Sequence, residues 1–481
     1  MSIKRSAVAG VKWTSTSAIA TAGMQFARLA IVAHLLSSDD FGLMAMMMVV
    51  LGFAQAFSDM GISNAIICKH EVGTDQLSSL YWANWLSGLI TFVGVSAAAP
   101  LVAQFYREPR LERLILVAAL TFLIAPLGQQ SRVLLQRDLQ FRTLSIIEIA
   151  AAFFGSVVSI ALALLDKGVY ALVLGQVATV VVQGAFSAAV GWRRWRPRMT
   201  FSRNDLNGFL GFGAYQMAER SINYVAANFD YIVIGRVLGP IALGPYYAAY
   251  QLAISPLLRV NPILTRVAFP ILARRQADNA ILVQGYLEIS HFLALITFPI
   301  LVGMAAAAPV LVPVLLGRHW NDAVPLTEML AFVGLFKILG NPSGSILLAK
   351  GRADIGFWWN IFVAAANLGI FSLVVSWGPV AVAAGYVALS VVYFVLILSI
   401  LGRLIALSWR QYLALLMRPA IAALVMAVVV RGTWTVVSPL VDITVWSAAS
   451  FVLLGGLVYS LSVFCLERPY LARLSVLLLN R

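Results

Sequence analysis

Residues 12–36 read KWTSTSAIATAGMQFARLAIVAHLL, a stretch of the length an α-helix needs to cross a bilayer. Its polar members Thr14, Ser17, Thr21, Gln25 and Arg28 recur at spacings of three and four. They therefore share one face of a helix otherwise dominated by Ala, Ile, Val, Leu and Met. The same face returns 202 residues later as Gln216, Glu219, Asn223, Ala227 and Asp230. Each stripe runs into a short turn and another apolar stretch, through Ser37-Ser38-Asp39-Asp40-Phe41-Gly42 in the first case and Gly239-Pro240-Ile241-Ala242-Leu243-Gly244 in the second. A polar face inside a bilayer must look at protein or water rather than at lipid. Two such faces from duplicated halves point to a wet cleft between two lobes, the layout of a secondary transporter.

Composition agrees with a membrane location. The chain has 481 residues, of which 61% are hydrophobic and 11% charged, with a mean hydropathy of +0.89. That leaves too little polar surface for a soluble protein. Apolar spans can be laid down at about 12–36, 42–66, 78–105, 112–135, 143–165, 170–192, 207–237, 244–268, 281–306, 323–348, 354–376, 380–401, 413–436 and 443–464. The expected fold is an all-α integral membrane protein of about fourteen transmembrane helices, with two six-helix lobes around a central cleft and two further C-terminal helices. The expected boundaries are 1–192 for the N-lobe, 193–206 for a basic cytoplasmic linker, 207–401 for the C-lobe, and 402–481 for the last two helices and a tail. An even number of helices per repeat relates the lobes by an axis along the membrane normal.

Basic residues set the expected orientation, because Lys and Arg in short loops resist translocation. With the N-terminus inside, twenty of the 34 fall in cytoplasmic segments, five in outer loops and nine within spans. Both termini are then cytoplasmic. The net charge of +14 is mostly this topology signal, so no nucleic-acid partner is expected. The segment after Lys4 and Arg5 is rich in Thr and Ser and continues into a span, with no cleavable signal peptide evident, so the first helix is expected to be retained. Cys68 and Cys465 fall at cytoplasmic helix ends, where thiols stay reduced.

Enzyme motifs are missing from the sequence. It contains no G-x-x-x-x-G-K-[ST], H-E-x-x-H, G-x-S-x-G or C-x-x-C, and His34, His70, His291 and His319 are too dispersed for a metal site. No cofactor or metal is expected. Loops are short, the longest outer one running from about 307 to 322, which disfavours a polymerase with an external catalytic domain. The chemistry lies in charges within the bilayer. Arg28, Arg220, Arg259 and Lys337 fall well inside the first, seventh, eighth and tenth spans. A central cation costs roughly 2.5–3.5 kcal/mol on insertion scales unless it is paired or faces water. These four are the candidate substrate-binding residues for an anion such as a diphosphate. Asp59, Glu219 and Asp230 are the candidate coupling or gating acids, with structural pairing or proton coupling as the alternatives for each. Prolines at 256, 262, 270, 299, 309 and 313 are candidate hinges or static kinks.

Several runs carry a family resemblance: Phe41-Gly42-Leu43, Ser58-Asp59-Met60-Gly61-Ile62, Leu80-Tyr81-Trp82-Ala83-Asn84, Gly128-Gln129-Gln130, the ten residues from Asn261 to Pro270, Trp320-Asn321, Gly340-Asn341-Pro342-Ser343-Gly344, and Ala349 to Asp354. With these the chain resembles the polysaccharide flippases of the multidrug/oligosaccharidyl-lipid/polysaccharide exporter superfamily, the colanic acid exporter type among them. The resemblance covers nearly the whole chain. It implies a bacterial inner-membrane protein that moves undecaprenyl-diphosphate-linked repeat units from the cytoplasmic to the periplasmic leaflet. The implied mechanism is alternating access of a central cavity driven by an ion gradient. The implied partners are that glycolipid, membrane lipid, and the polymerase and chain-length machinery. A drug/cation antiporter of the same superfamily and a membrane polysaccharide polymerase are the competing readings.

Overall fold

The computed structural model describes residues 3–58, 73–193, 195–202, 210–255, 278–440 and 442–467. All the regular structure among them is helical. In chain order, α1 is Ile3–Leu35, α2 Ser38–Ser58, α3 Thr74–Tyr106, α4 Arg110–Ala119, α5 Thr121–Arg137, α6 Phe141–Leu164, α7 Val169–Gly191, α8 Leu210–Ala227, α9 Phe229–Leu238 and α10 Pro240–Ala253. These are followed by α11 Asn279–Leu316, α12 Ala323–Gly340, α13 Pro342–Ala349, α14 Ala353–Val374, α15 Pro379–Ile405, α16 Trp409–Val437 and α17 Val445–Leu466. Among the described residues, eleven helical stretches are long and apolar enough to cross a membrane, and each coincides with one of the fourteen expected spans. The other three expected spans, 42–66, 207–237 and 244–268, each include residues outside those described. The chain is a multi-span helical membrane protein. By packing it divides into Met1–Tyr247 and Ala248–Arg481.

Some helices bury a face rich in small residues and expose large apolar ones. On α17, Ser447, Ala448, Phe451, Gly455 and Tyr459 face protein, while Val452, Leu453, Leu457 and Leu461 are more than half exposed. The α6 helix likewise buries Ser145, Ala151, Ala152, Gly155, Ser156 and Ser159 and exposes Phe153, Phe154 and Val157. Lipid tails are as apolar as leucine, so the gain on helix association comes from close backbone approach, which small side chains permit.

Within Met1–Tyr247 the repeat is visible as a reciprocal contact. The α2 helix begins at Ser38 and α10 at Pro240, 202 residues apart. A Cβ placed on Gly42 would overlap the carbonyl oxygen of Pro240, and one placed on Gly244 would overlap that of Ser38. Gly42 and Gly244 are themselves 202 residues apart. Each of the two helices thus lays a glycine against the other's first residue.

Three departures from the sequence expectation have local causes. The seventh span breaks at Asn228 into α8 and α9, and the Tyr224 carbonyl there accepts both the Asn228 side-chain amide at 2.8 Å and the Asn228 backbone N–H at 3.1 Å. The tenth breaks at Asn341-Pro342 into α12 and α13, because Pro342 has no N–H to continue the ladder. The ninth is longer than expected. The α11 helix runs on to Leu316 through Pro299, Pro309 and Pro313, with Ala305 to Ala308, Val310, Val312 and Leu316 buried along its extension. The expected 307–322 loop therefore shrinks to a 3₁₀ turn, Arg318–Trp320, and its flanks, with Trp320 buried.

The basic stretch expected to link the lobes, as far as it is described, lies along the first turns of α3. The Trp82 indole N–H donates to the Arg198 carbonyl at 2.9 Å, the Arg198 amide donates to Ser78 Oγ at 3.1 Å, and the Ser202 amide donates to Ser79 Oγ at 3.0 Å. This gives Trp82 of the Leu-Tyr-Trp-Ala-Asn run a docking role. A Ser78→Ala, Ser79→Ala, Trp82→Phe variant is expected to be cut several-fold faster by trypsin after Arg198 in opened membrane vesicles. An unchanged cleavage rate would mean that these bonds do not hold the segment.

Candidate functional site

A cavity lined in part by Lys337, one of the sequence-predicted residues, lies within Ala248–Arg481, among α12, α13, α14 and α15, and has a volume of about 370 Å³. That falls within the roughly 300–1,000 Å³ typical of small-molecule sites. The Gly-Asn-Pro-Ser-Gly run shapes one wall by ending α12 at Gly340 and starting α13 at Pro342. The break brings Asn341, Ser343 and Gly344 to the cavity. Ser343 Oγ is 3.1 Å from the hydroxyl of Tyr286, whose ring stacks on Tyr412 at 5.7 Å.

Lys337 is the cation of this site. Its Nζ is 3.4 Å from the Tyr250 hydroxyl, 5.5 Å from the Tyr250 ring centroid and 4.9 Å from that of Tyr386. Two aromatic rings beside the half-buried ammonium attract it by their quadrupoles, each worth about 0.5–2 kcal/mol. The opposite wall is amide and aromatic. The Tyr393 hydroxyl donates to Asn367 Oδ1 at 2.8 Å, Trp359 meets Tyr393 edge-on at 6.0 Å, and Asn360 and Ser390 complete the wall. A cation, flat aromatic faces and three amides make a site that can hold a hydroxylated ring and an attached anionic group.

The other sequence-predicted residues are distributed as follows. Arg28 is half-buried on α1 and Arg220 exposed on α8, both in Met1–Tyr247, whereas Lys337 belongs to the other unit. Arg259 and Asp59 lie outside the described residues, as does the side chain of Glu219. Asp230, at the start of α9, is buried. It accepts a hydrogen bond from the Tyr246 hydroxyl at 2.9 Å and one from the Tyr231 amide at 3.0 Å. The remaining intramembrane acids have partners too: Ser17 Oγ donates to Glu148 at 2.7 Å, Gln284 to Glu288 at 2.9 Å, and Arg431 pairs with Glu328 at 2.8 Å. No cluster of three or more His, Cys, Asp or Glu with metal-site geometry occurs among the described residues.

The sequence reading missed Trp359, Asn360, Asn367, Tyr386, Ser390 and Tyr393. A signal for them was present. Gly356, Asn360, Val363 and Asn367 on α14, and Tyr386, Ser390, Tyr393 and Ile397 on α15, follow the three-and-four spacing that marks α1. They are uncharged, and a search for buried charge passes over them.

Known proteins resemble this chain along most of its length. Residues 31–325 match a family described as "Polysaccharide biosynthesis protein". The teichuronic acid biosynthesis protein TuaB of Bacillus subtilis is 36% identical over 437 residues, 90% of this chain and 89% of that protein. The lipopolysaccharide biosynthesis protein WzxC of Escherichia coli is 32% identical over 427 residues, 87% and 86% of the two chains. Among solved structures, the lipid II flippase MurJ in an inward closed conformation gives a TM-score of 0.73 at 13% identity, covering 95% of this chain and 99% of that one. An inward-facing multidrug resistance MATE transporter of the MOP superfamily gives 0.60 at 15% identity, covering 82% and 98%. At such identities these likenesses describe the fold, which is that of MurJ and the MATE transporters.

Proposed function

The chain belongs to the polysaccharide biosynthesis protein family, and on that premise we propose that it is a flippase for undecaprenyl-diphosphate-linked oligosaccharide repeat units. It carries them from the cytoplasmic to the periplasmic leaflet of a bacterial inner membrane for exopolysaccharide, capsule or O-antigen assembly. It is a transporter and not an enzyme. The observation that carries the reading is a polar, cation-bearing cavity inside membrane-crossing helices, in a chain whose relatives of 36% and 32% identity are named for polymer biosynthesis. A glycan and its diphosphate cannot cross hydrocarbon bare, because each unsatisfied polar group costs several kcal/mol. A cavity of amides, aromatics and cations replaces their hydration shell while the polyprenyl tail stays in lipid.

In this reading Arg28, Arg220, Arg259 and Lys337 contact the anionic head, and Asp59, Glu219 and Asp230 serve coupling or gating. The two lobes, 1–192 and 207–401, alternate the access of a central cavity with both termini cytoplasmic, and polymerase and chain-length proteins receive the product. Deleting the gene tests the proposal in the cell. Repeat units on undecaprenyl diphosphate are expected to accumulate on the cytoplasmic face and to clear when the intact gene is restored. Normal translocation with unpolymerised units outside would instead assign the chain to polymerisation.

A further inference from the structure

A second polar cavity, of about 440 Å³, lies within Met1–Tyr247 among α2, α5, α6 and α7. Four glutamines line it, Gln55, Gln129, Gln136 and Gln183, together with Arg132 and Glu148. Six side chains that can hydrogen-bond thus meet around one space inside membrane helices. Two neighbouring glutamines of the Gly-Gln-Gln run show the division of labour. Gln130 is buried and donates to the Leu77 carbonyl at 2.8 Å, which ties α5 to α3. Gln129, on the adjacent face, lines the cavity.

The side-chain chemistry limits the ligand. An amide both donates and accepts, and so does a sugar hydroxyl, so a ring of glutamines can read vicinal hydroxyls whichever way each is oriented. Arg132 and Glu148 carry opposite formal charges, so the cavity has no net charge to offer a diphosphate, in contrast to the Lys337 cavity. The carboxylate is also fixed: Ser17, 1% exposed and part of the polar stripe on α1, donates to its Oε2 at 2.7 Å. A second bond on the same helix pair, from Ser145 Oγ to the Trp13 carbonyl at 2.9 Å, holds α1 against α6. The stripe that opened the sequence reading thus aligns an acid at the wall of this cavity.

The cavity also lies toward one membrane face. Arg132 and Gln136 are near the end of α5, Gln183 is past the middle of α7, Gln55 is near the end of α2, Glu148 is in the first third of α6, and Ser17 lies five residues past Lys12, where the apolar span of α1 begins. Those ends carry Lys12, Arg137, Arg142 and Arg193, the basic face where a substrate from the cytoplasmic leaflet is first met.

We infer that the cavity lined by Gln55, Gln129, Gln136, Gln183, Arg132 and Glu148 is a binding subsite for an uncharged sugar ring of the substrate, a neutral hexose or its N-acetylated form. The inference rests on the flippase reading. The test uses the purified full-length protein in lipid nanodiscs and two probes, undecaprenyl diphosphate and undecaprenyl diphosphate bearing one glucose, with affinity read from intrinsic tryptophan fluorescence. The wild type is expected to prefer the glucosyl lipid about tenfold, the scale of one or two satisfied hydrogen bonds. In a Gln129→Ala, Gln183→Ala variant that ratio is expected to fall to about one. Glu148→Gln, nearly isosteric, provides a second reading that does not depend on the double variant folding. By leaving Arg132 uncompensated, it is expected to shift preference several-fold toward a third probe bearing glucuronate. Equal affinity of the wild type for the bare and glucosyl lipids overturns the subsite while leaving the flippase reading standing. A glucosyl preference that survives Gln129→Ala, Gln183→Ala, or a Glu148→Gln variant that binds the glucuronosyl probe no better than the wild type does, overturns it as well. Failure of the wild type to bind any of the lipids overturns the flippase reading itself, and the subsite with it.

Discussion

Replacing Gly42 or Gly244 by valine is expected to leave little or no folded protein in the membrane. At each position the new side chain runs into a backbone carbonyl, that of Pro240 or Ser38, and a backbone cannot rotate away as the tip of a flexible side chain can. Overpacking of a well-filled interior typically costs about 1–3 kcal/mol, and an obstacle that cannot yield places these variants at or beyond the top of that range. Alanine is expected to do most of the same damage, because the clash begins at Cβ. The control is Gly23→Ala on α1, whose added Cβ meets no atom within 4 Å, and which should be neutral or slightly stabilising. Detergent-extracted yield and thermal unfolding by a fluorescent size-exclusion assay read the difference. If Gly42→Ala extracts and melts like the wild type, the reciprocal contact between the repeats is wrong.

Replacing Lys337 by methionine should abolish most transport while leaving the protein inserted. Methionine keeps the length and apolar stem of the side chain, so packing around Tyr250 and Tyr386 is largely retained and only the ammonium is lost. If that ammonium meets an anionic group of the substrate, a charge-assisted contact worth about 1.5–3 kcal/mol is removed. That corresponds to a loss of roughly tenfold to a hundredfold in translocation rate. Lys337→Arg should recover part of it, since the charge returns on a bulkier planar head. Polymer export measured in a deletion strain carrying each variant, with membrane abundance checked by immunoblot, distinguishes the cases. Full export by Lys337→Met would mean that the lysine is structural, held by its two tyrosines for packing alone.

These expectations draw on features of unequal visibility in the sequence. Hydropathy reaches the spans because a membrane helix must be apolar for its full length, and eleven of them reappear in the described structure. The 202-residue offset, read from a faint polar stripe, reappears at atomic scale in Gly42 against Pro240 and Gly244 against Ser38. The breaks were harder to see. Asn228 and Asn341 interrupt helices inside apolar runs, where hydropathy does not change and only the pairing of backbone groups does. Pro309 and Pro313 read as punctuation, yet α11 passes through both, because buried alanines and valines pack along the extension and outweigh the lost hydrogen bonds. The Lys337 cavity was half legible. A lysine in the middle of a span draws notice, whereas Asn360, Asn367, Tyr386 and Tyr393 differ from a packing face only in being neutral and polar. The glutamine cavity was hidden by its own neutrality, since Arg132 and Glu148 stand on consecutive helices and neither was expected to face the other across one space.

The central claim is that this chain moves a lipid-linked glycan between leaflets, and one measurement tests it most directly. Proteoliposomes containing the purified protein are loaded with an undecaprenyl-diphosphate-linked repeat unit extracted from a strain deleted for the gene. A membrane-impermeant lectin or glycosidase then reads how much glycan is exposed on the outer leaflet over time, with and without an imposed proton or sodium gradient. The account predicts that half of the glycolipid starts accessible, that the inner half becomes accessible only when protein is present, and that Lys337→Met slows that phase at least tenfold. An inner pool that stays protected in protein-containing vesicles under every gradient, with the protein shown to be folded and inserted, would contradict the account.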